Sequence, residues 1–148
     1  MLQNYIFAID IDNTLTNEQF GIPCSEIETK KRIENKTLKP GVEIIRNKDF
    51  NIILVTGREE KYREVTVKWL HKNDIPFNRL IMVPDDYYPV EFYYDSYLKF
   101  KLNAYIENHV HFVLDDSNNV INLSRMYGFG AEKVNDTFDE AFRRCIGL

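Results

Sequence analysis

Two pairs of acids stand at the ends of two apolar runs. Asp10 and Asp12 follow residues 5–9 (YIFAI), and Asp115 and Asp116 follow residues 110–114 (VHFVL). Runs of this kind read as short strands buried on both faces, which belong to parallel sheets. If the two strands are neighbours, four carboxylates converge on one small region. They repel, and they cannot all ionise without counter-charge. A hard dication such as Mg2+ is the natural remedy, because it takes oxygen ligands from one or two carboxylates together with substrate phosphate. A dication and one nearby lysine leave roughly one negative charge on the four acids. Such a face is able to accept a phosphate dianion. One aspartate alone at a strand-to-helix turn reads as a cap or a solvated turn residue. Four acids at two strand ends are harder to explain in that way.

The elements that must position these acids alternate along the chain. Further apolar runs occupy residues 50–55, ending at Thr56-Gly57, and 80–83, closed by Pro84, with a short fifth at 131–134. Between them the period becomes helical. Tyr62, Val65, Thr66, Trp69 and Leu70 form one stripe, and Leu98, Leu102, Tyr105 and Ile106 form another. Val120, Ile121, Ser124 and Tyr127 mark a shorter helix stopped by Gly128. Pro40-Gly41 precedes a helical stretch over 42–47. Thr137-x-x-Glu140 is a capping-box pattern ahead of the face Phe138, Ala141, Phe142, Cys145. The alternation predicts an α/β fold, a Rossmann-like three-layer sandwich on a mainly parallel five-stranded sheet. In such sheets ligands bind beyond the carboxyl ends of the strands, where these acids stand.

Composition narrows the classes. The chain has 148 residues, 44% hydrophobic and 28% charged, with six Gly and five Pro. That excludes a disordered or collagen-like chain, and the length predicts one domain over 1–148. No apolar run approaches the length of a membrane span, and Leu2, Gln3 and Asn4 open no secretory signal. Cys24 and Cys145 form no CxxC pair, which places the chain in a reducing cytoplasm. A net charge of −4 argues mildly against broad non-specific nucleic-acid binding.

The residues also resemble a known family. Asp10-Ile11-Asp12-Asn13-Thr14-Leu15 is similar to the first motif, DxDxT, of the haloacid dehalogenase (HAD) superfamily of phosphotransferases. Residues 53–58 (ILVTGR) resemble its second motif, Lys99 or Lys101 stands where its lysine is expected, and residues 113–116 (VLDD) resemble its acidic fourth motif. All four come in the expected order. The resemblance implies Asp10 as nucleophile, forming an aspartyl-phosphate, and Asp12 as the acid and base that also lends a backbone carbonyl to the metal. It implies Thr56, with backbone N–H groups, on the phosphoryl oxygens, a lysine neutralising the nucleophile, and Asp115 and Asp116 on Mg2+. Thr56 is equally compatible with a helix N-cap.

The spacing between motifs leaves no room for a large cap domain. A closer likeness is to the 3′-phosphatase domain of polynucleotide kinase-phosphatases. Thr56-Gly57-Arg58-Glu59 with residues 65–70 (VTVKWL) resembles that family's SGRE…T..WL, and Asp95-x-x-x-Lys99 resembles its D-x-x-x-K. This likeness selects Lys99 over Lys101, gives Asp95 the task of orienting it, and puts Gly57 and Arg58 on the substrate. Asn13 in place of glycine and Ser117 in place of arginine depart from the pattern, and no GxxxxGK[ST] kinase motif is present. The implied function is a Mg2+-dependent phosphatase of polynucleotide 3′-phosphate or nucleotides. The alternatives are a sugar-phosphate or other small-metabolite phosphatase, and a silent module that binds nucleic acid or protein. Lys30, Lys31, Arg32, Lys36 and Lys39 form a basic stretch that reads as a phosphate-backbone track or as a solvated face. Tyr87, Tyr88, Phe92, Tyr93, Tyr94 and Tyr97 read as a stacking surface or as a loop packed on its own rings. His71, His109 and His111 show no metal-ligand spacing.

Overall fold

The computed structural model describes residues 2–17, 24–46, 49–88 and 93–148, with side chains from 95 onward in the last segment. Strands β1 (Ile6–Ile9), β2 (Asn51–Glu59), β3 (Arg79–Val83), β4 (Phe112–Asp115) and β5 (Gly130–Lys133) alternate with helices α1 (Glu26–Glu34), α2 (Arg63–Lys72), α3 (Tyr93–Glu107), α4 (Asn118–Met126) and α5 (Phe138–Cys145). The strands form one sheet in the order β3-β2-β1-β4-β5, and every pairing is parallel. This is the Rossmann-like sandwich that the alternation predicts.

Because side chains alternate across a strand, each strand feeds two cores. Phe7, Ile9, Ile52, Leu54 and Leu114 point to one face and pack with Ile33 of α1, Val65, Trp69 and Leu70 of α2, and Phe138, Ala141 and Phe142 of α5. Ala8, Ile53, Val55, Val113 and Ala131 point to the other and meet Ala104 and Tyr105 of α3 and Val120 and Ile121 of α4. Phe7 anchors the first core, its ring centroid 5.2 Å from those of Phe112 and Phe142. With both faces covered, the strands present only their ends to a ligand. β1, paired on both sides, sits at the centre.

Three local readings change. β2 does not stop at Val55. It runs on to Glu59, because Thr56 pairs with Met82 and Glu59 with Val83, and the register shift between these pairs re-aims residues 57 and 58. The stretch after Gly41 is a short 3-10 turn, Val42–Ile45, and Asn47 lies outside the described residues. The capping box at Thr137 is not formed. Thr137 makes no side-chain cap bond, and its buried hydroxyl has no partner among the described residues. The Phe138 N–H instead donates to the Pro40 carbonyl at 2.8 Å. This approach requires Gly41, at φ +89°, since a Cβ there would lie 2.8 Å from the Asp139 backbone nitrogen.

Candidate active site

β1 and β4 are neighbours, with Ile9 opposite Leu114, and the Asp10 N–H donates to the Leu114 carbonyl at 3.0 Å. The acids from the two ends of the chain therefore meet. Carboxylate oxygens of Asp10, Asp115 and Asp116 all lie within 4.8 Å of one another. The hydroxyl of Thr14, the last residue of the DxDxT pattern, donates to Asp10 Oδ2 at 3.1 Å and lies 3.4 Å from Asp116 Oδ1.

The lysine at this cluster is Lys101, not Lys99. Its ammonium donates to Asp10 Oδ1 at 2.8 Å, to the Val55 carbonyl at 2.8 Å and to Asp115 Oδ2 at 3.0 Å, and the side chain is buried. Lys99 and Asp95 are both exposed on α3. The reason is rotational. Two residues along a helix turn the side chain by about 200°, so only one of these lysines can face the sheet. The inward stripe of α3 is Lys101, Ala104 and Tyr105, whereas Ile106 is half exposed. The signal was present as Lys101-x-x-Ala104-Tyr105, spaced for one face. Four residues before Lys101 stands Tyr97, whose ring lies 5.5 Å from the ammonium.

Electrostatics in this pocket are tense. Burial, then Asp115, push the Asp10 carboxyl up to about 6, although Lys101 pulls against them. Burial also raises Asp115, opposed by Lys101 and the Ser117 N–H, and burial and Asp10 raise Asp116. Burial works against the Lys101 ammonium, but Asp10 and Asp115 outweigh it and hold it well above its ordinary value. Three crowded carboxylates fit a small divalent ion, and an all-oxygen donor set suits a hard one.

A pH dependence follows. The folded value for Asp10 lies above its unfolded 3.8, so its contribution to stability is fully present below about 3.8 and is lost as pH rises through about 6. A cation that replaces protons on the cluster acts in the opposite direction. Thermal unfolding with Mg2+ and with chelator is expected to show a larger Mg2+-induced rise at about pH 7 than at about pH 5. An equal rise at both would contradict this electrostatic description.

Asp12 stands outside the cluster. Arg58 donates through Nε to its Oδ2 at 2.9 Å and through Nη2 to its Oδ1 at 2.7 Å, while Nη1 donates to Thr66 at 3.0 Å. Arg58, expected on the substrate, holds Asp12 in a bidentate grip. A buried guanidinium needs a matching carboxylate, and the bulge in β2 aims it at this one. Lys36 Nζ lies 3.7 Å from Asp12 Oδ1. Lys39, also buried, donates to the carbonyls of Asn13 at 2.5 Å and Asn135 at 2.6 Å. The basic stretch is therefore divided. Lys31 and Arg32 are exposed on α1, whereas Lys36 and Lys39 enter the site on a segment pinned by the bridge between Thr16 and Leu38. Sequence reasoning grouped these two with the exposed residues of the stretch, since nothing in the run distinguishes them.

Thr56 is fully buried inside β2 and is not a helix cap, and its hydroxyl accepts from the Arg58 N–H at 3.2 Å. Gly57 is required by close approach, because a Cβ there would lie 2.8 Å from the Tyr97 ring and 3.0 Å from the Tyr88 hydroxyl. Tyr88 donates to the Gly57 carbonyl, and Tyr87 packs edge-on against Tyr88 and Phe100. These rings pack on each other, on β2 and on α3. Phe92 and the side chains of Tyr93 and Tyr94 lie outside the described residues. On the opposite side, Asn13, Asn17, Lys39, Asp116, Lys133 and Asp136 line an open polar cleft of about 380 Å3.

The family model of the polynucleotide kinase PNKP phosphatase domain, of HAD type, matches residues 4–137. The chain belongs to this family. No curated protein matches it. Among solved structures, a chain of the Pnkp1/Rnl/Hen1 RNA repair complex is similar at 23% identity and a TM-score of 0.68, over 90% of this chain and 43% of its own length. A chain of another Pnkp1/Rnl/Hen1 complex gives 23%, 0.66, 90% and 46%. These likenesses show the HAD fold, and this chain spans less than half of either neighbour. Among the described residues no helix is long and apolar enough to cross a membrane.

Proposed function

We propose that this PNKP-type HAD domain, read as one unit over 1–148, is a Mg2+-dependent phosphomonoesterase that works through an aspartyl-phosphate and prefers polynucleotide 3′-phosphate. The observation that carries the reading is the setting of Asp10: buried, with one oxygen held by Lys101 and the other by Thr14, beside Asp115 and Asp116. A carboxylate pinned in this way has a fixed line of attack, which is what in-line phosphoryl transfer needs.

Asp10 bonds to phosphorus as the bond from phosphorus to the ester oxygen breaks. Asp12, once drawn away from Arg58 and protonated from solvent, gives that proton to the departing alkoxide, then takes one from the water that attacks phosphorus, releasing phosphate and the free Asp10 carboxylate. Arg58 holds Asp12 through both of its oxygens until substrate enters. Thr56 and the backbone at Gly57 meet the phosphoryl oxygens, and Lys101 offsets the charge on Asp10 and Asp115. Asp10, Asp115 and Asp116, with the Asp12 carbonyl, would hold Mg2+, which when bound supplies counter-charge to the phosphoryl group.

The polynucleotide preference draws on the family and on the RNA repair complex to which the structural neighbours belong. Two free cysteines are consistent with a reducing compartment such as the cytoplasm.

The test is phosphate release from 3′- and 5′-phosphorylated oligonucleotides, nucleotides, sugar phosphates and p-nitrophenyl phosphate, with Mg2+ or chelator. The 3′-phosphorylated oligonucleotide is expected to have a kcat/KM roughly tenfold or more above the others, and chelator to abolish release. Preference for a sugar phosphate would overturn the substrate assignment. No release from any substrate would overturn the enzymatic reading.

A further inference from the structure

We propose that Asn13 is a positioning residue whose side-chain amide fixes the Asp116 carboxylate for divalent-cation binding. The proposal rests on the metal reading above and assigns that site a residue outside the acidic set. Asn13 sits between Asp12 and Thr14 with φ +58°, in the left-handed region. Its backbone is held at both ends: the N–H donates to Thr16 Oγ1 at 2.9 Å, and the carbonyl accepts from Lys39 Nζ. Lys39 also holds the Asn135 carbonyl, which ties this turn to the loop after β5. The side chain thus leaves a fixed backbone, and its Nδ2 donates to Asp116 Oδ2 at 3.3 Å.

Asp116 needs such a donor. It is the least enclosed of the three clustered acids, at the edge of the polar cleft that Asn13 also lines. The Thr14 hydroxyl has one hydrogen, and its shorter contact is with Asp10. The Asn13 amide is committed to Asp116. Backbone geometry alone does not call for asparagine, since glycine adopts φ near +60° with less strain. What asparagine adds is the amide. Hydrogen bonds behind ligating carboxylates fix their direction, and losing one commonly weakens metal binding about 10–100-fold.

Asn13→Gly therefore removes the amide and keeps the turn. The measurement is Mn2+ affinity by titration, alongside thermal unfolding in chelator and phosphate release by the wild type. Asn13→Gly is expected to weaken Mn2+ binding by roughly tenfold while the metal-free unfolding midpoint stays close to wild type. In an Asp116→Ala background the same change is expected to have little further effect on affinity, because the carboxylate that the amide holds is already gone. Unchanged Mn2+ affinity in Asn13→Gly would overturn the proposal alone. Equal losses in both backgrounds would overturn it as well. A wild-type chain that binds no Mn2+ would overturn the proposal together with the metal reading, and its phosphate release would show separately whether the phosphatase reading stands.

Discussion

Replacing Asp10 with Asn is expected to lower phosphate release by at least about 10^4-fold, with the fold intact. The substitution keeps the shape of the side chain and removes the carboxylate proposed as nucleophile. Asp10 lies in a pocket that already disfavours its charge, so losing that charge relieves repulsion with Asp115 and Asp116 even as Lys101 loses one partner. The variant also retains Thr56 and the Gly57 backbone, the groups proposed to meet the phosphoryl oxygens, together with Lys101. Substrate binding is therefore expected to survive the loss of turnover. A variant releasing phosphate within about a hundredfold of wild type would show that another group attacks phosphorus.

Lys101→Met is expected to damage both activity and stability. The ammonium is buried between two carboxylates and the Val55 carbonyl, and Met leaves Asp10 and Asp115 without their cation. Removing one partner of a buried pair costs about 3–5 kcal/mol, because the charge left behind is uncompensated. Turnover is expected to fall by about 10^3-fold, the order seen when a preorganised charge-stabilising donor is lost. Divalent cation is expected to recover part of the lost stability, since it can supply the missing positive charge. Lys99→Met is the internal comparison. Lys99 is exposed, and its replacement is expected to change stability by no more than about 0.5 kcal/mol. Unfolding and phosphate-release assays on the two variants decide the matter, and a larger loss in the Lys99 variant would contradict the geometry.

The frame of this site was legible because strand ends are. Apolar runs that stop abruptly at Asp10 and Asp115 leave few alternatives in a parallel sheet, and the structure places the two on neighbouring strands. The lysine was harder. Lys99 and Lys101 differ only in which way the helix turns them, and a spacing taken from motif likeness outweighed the face shared with Ala104 and Tyr105. Arg58 illustrates a second limit. Its position was evident, but its partner depends on the bulge in β2, and bulges leave little trace in composition. Lys36 and Lys39 illustrate a third. They are brought in by a distant segment, Lys39 lying 26 residues after Asn13, through the bridge from Thr16 to Leu38, and no local period encodes that contact. Asn13 was noted as a departure from glycine, and only the fold shows what its amide touches.

Acid quenching during turnover, followed by borohydride reduction, tests the chemistry most directly. Reduction converts an acyl phosphate to an alcohol, so a phosphorylated aspartate becomes homoserine and is located by peptide mass spectrometry. With a 3′-phosphorylated oligonucleotide and Mg2+, homoserine is expected at position 10 alone, and in the Asp10→Asn variant at no position. Steady phosphate release with no conversion at position 10, or conversion at another carboxylate, would contradict the assignment of Asp10 as nucleophile.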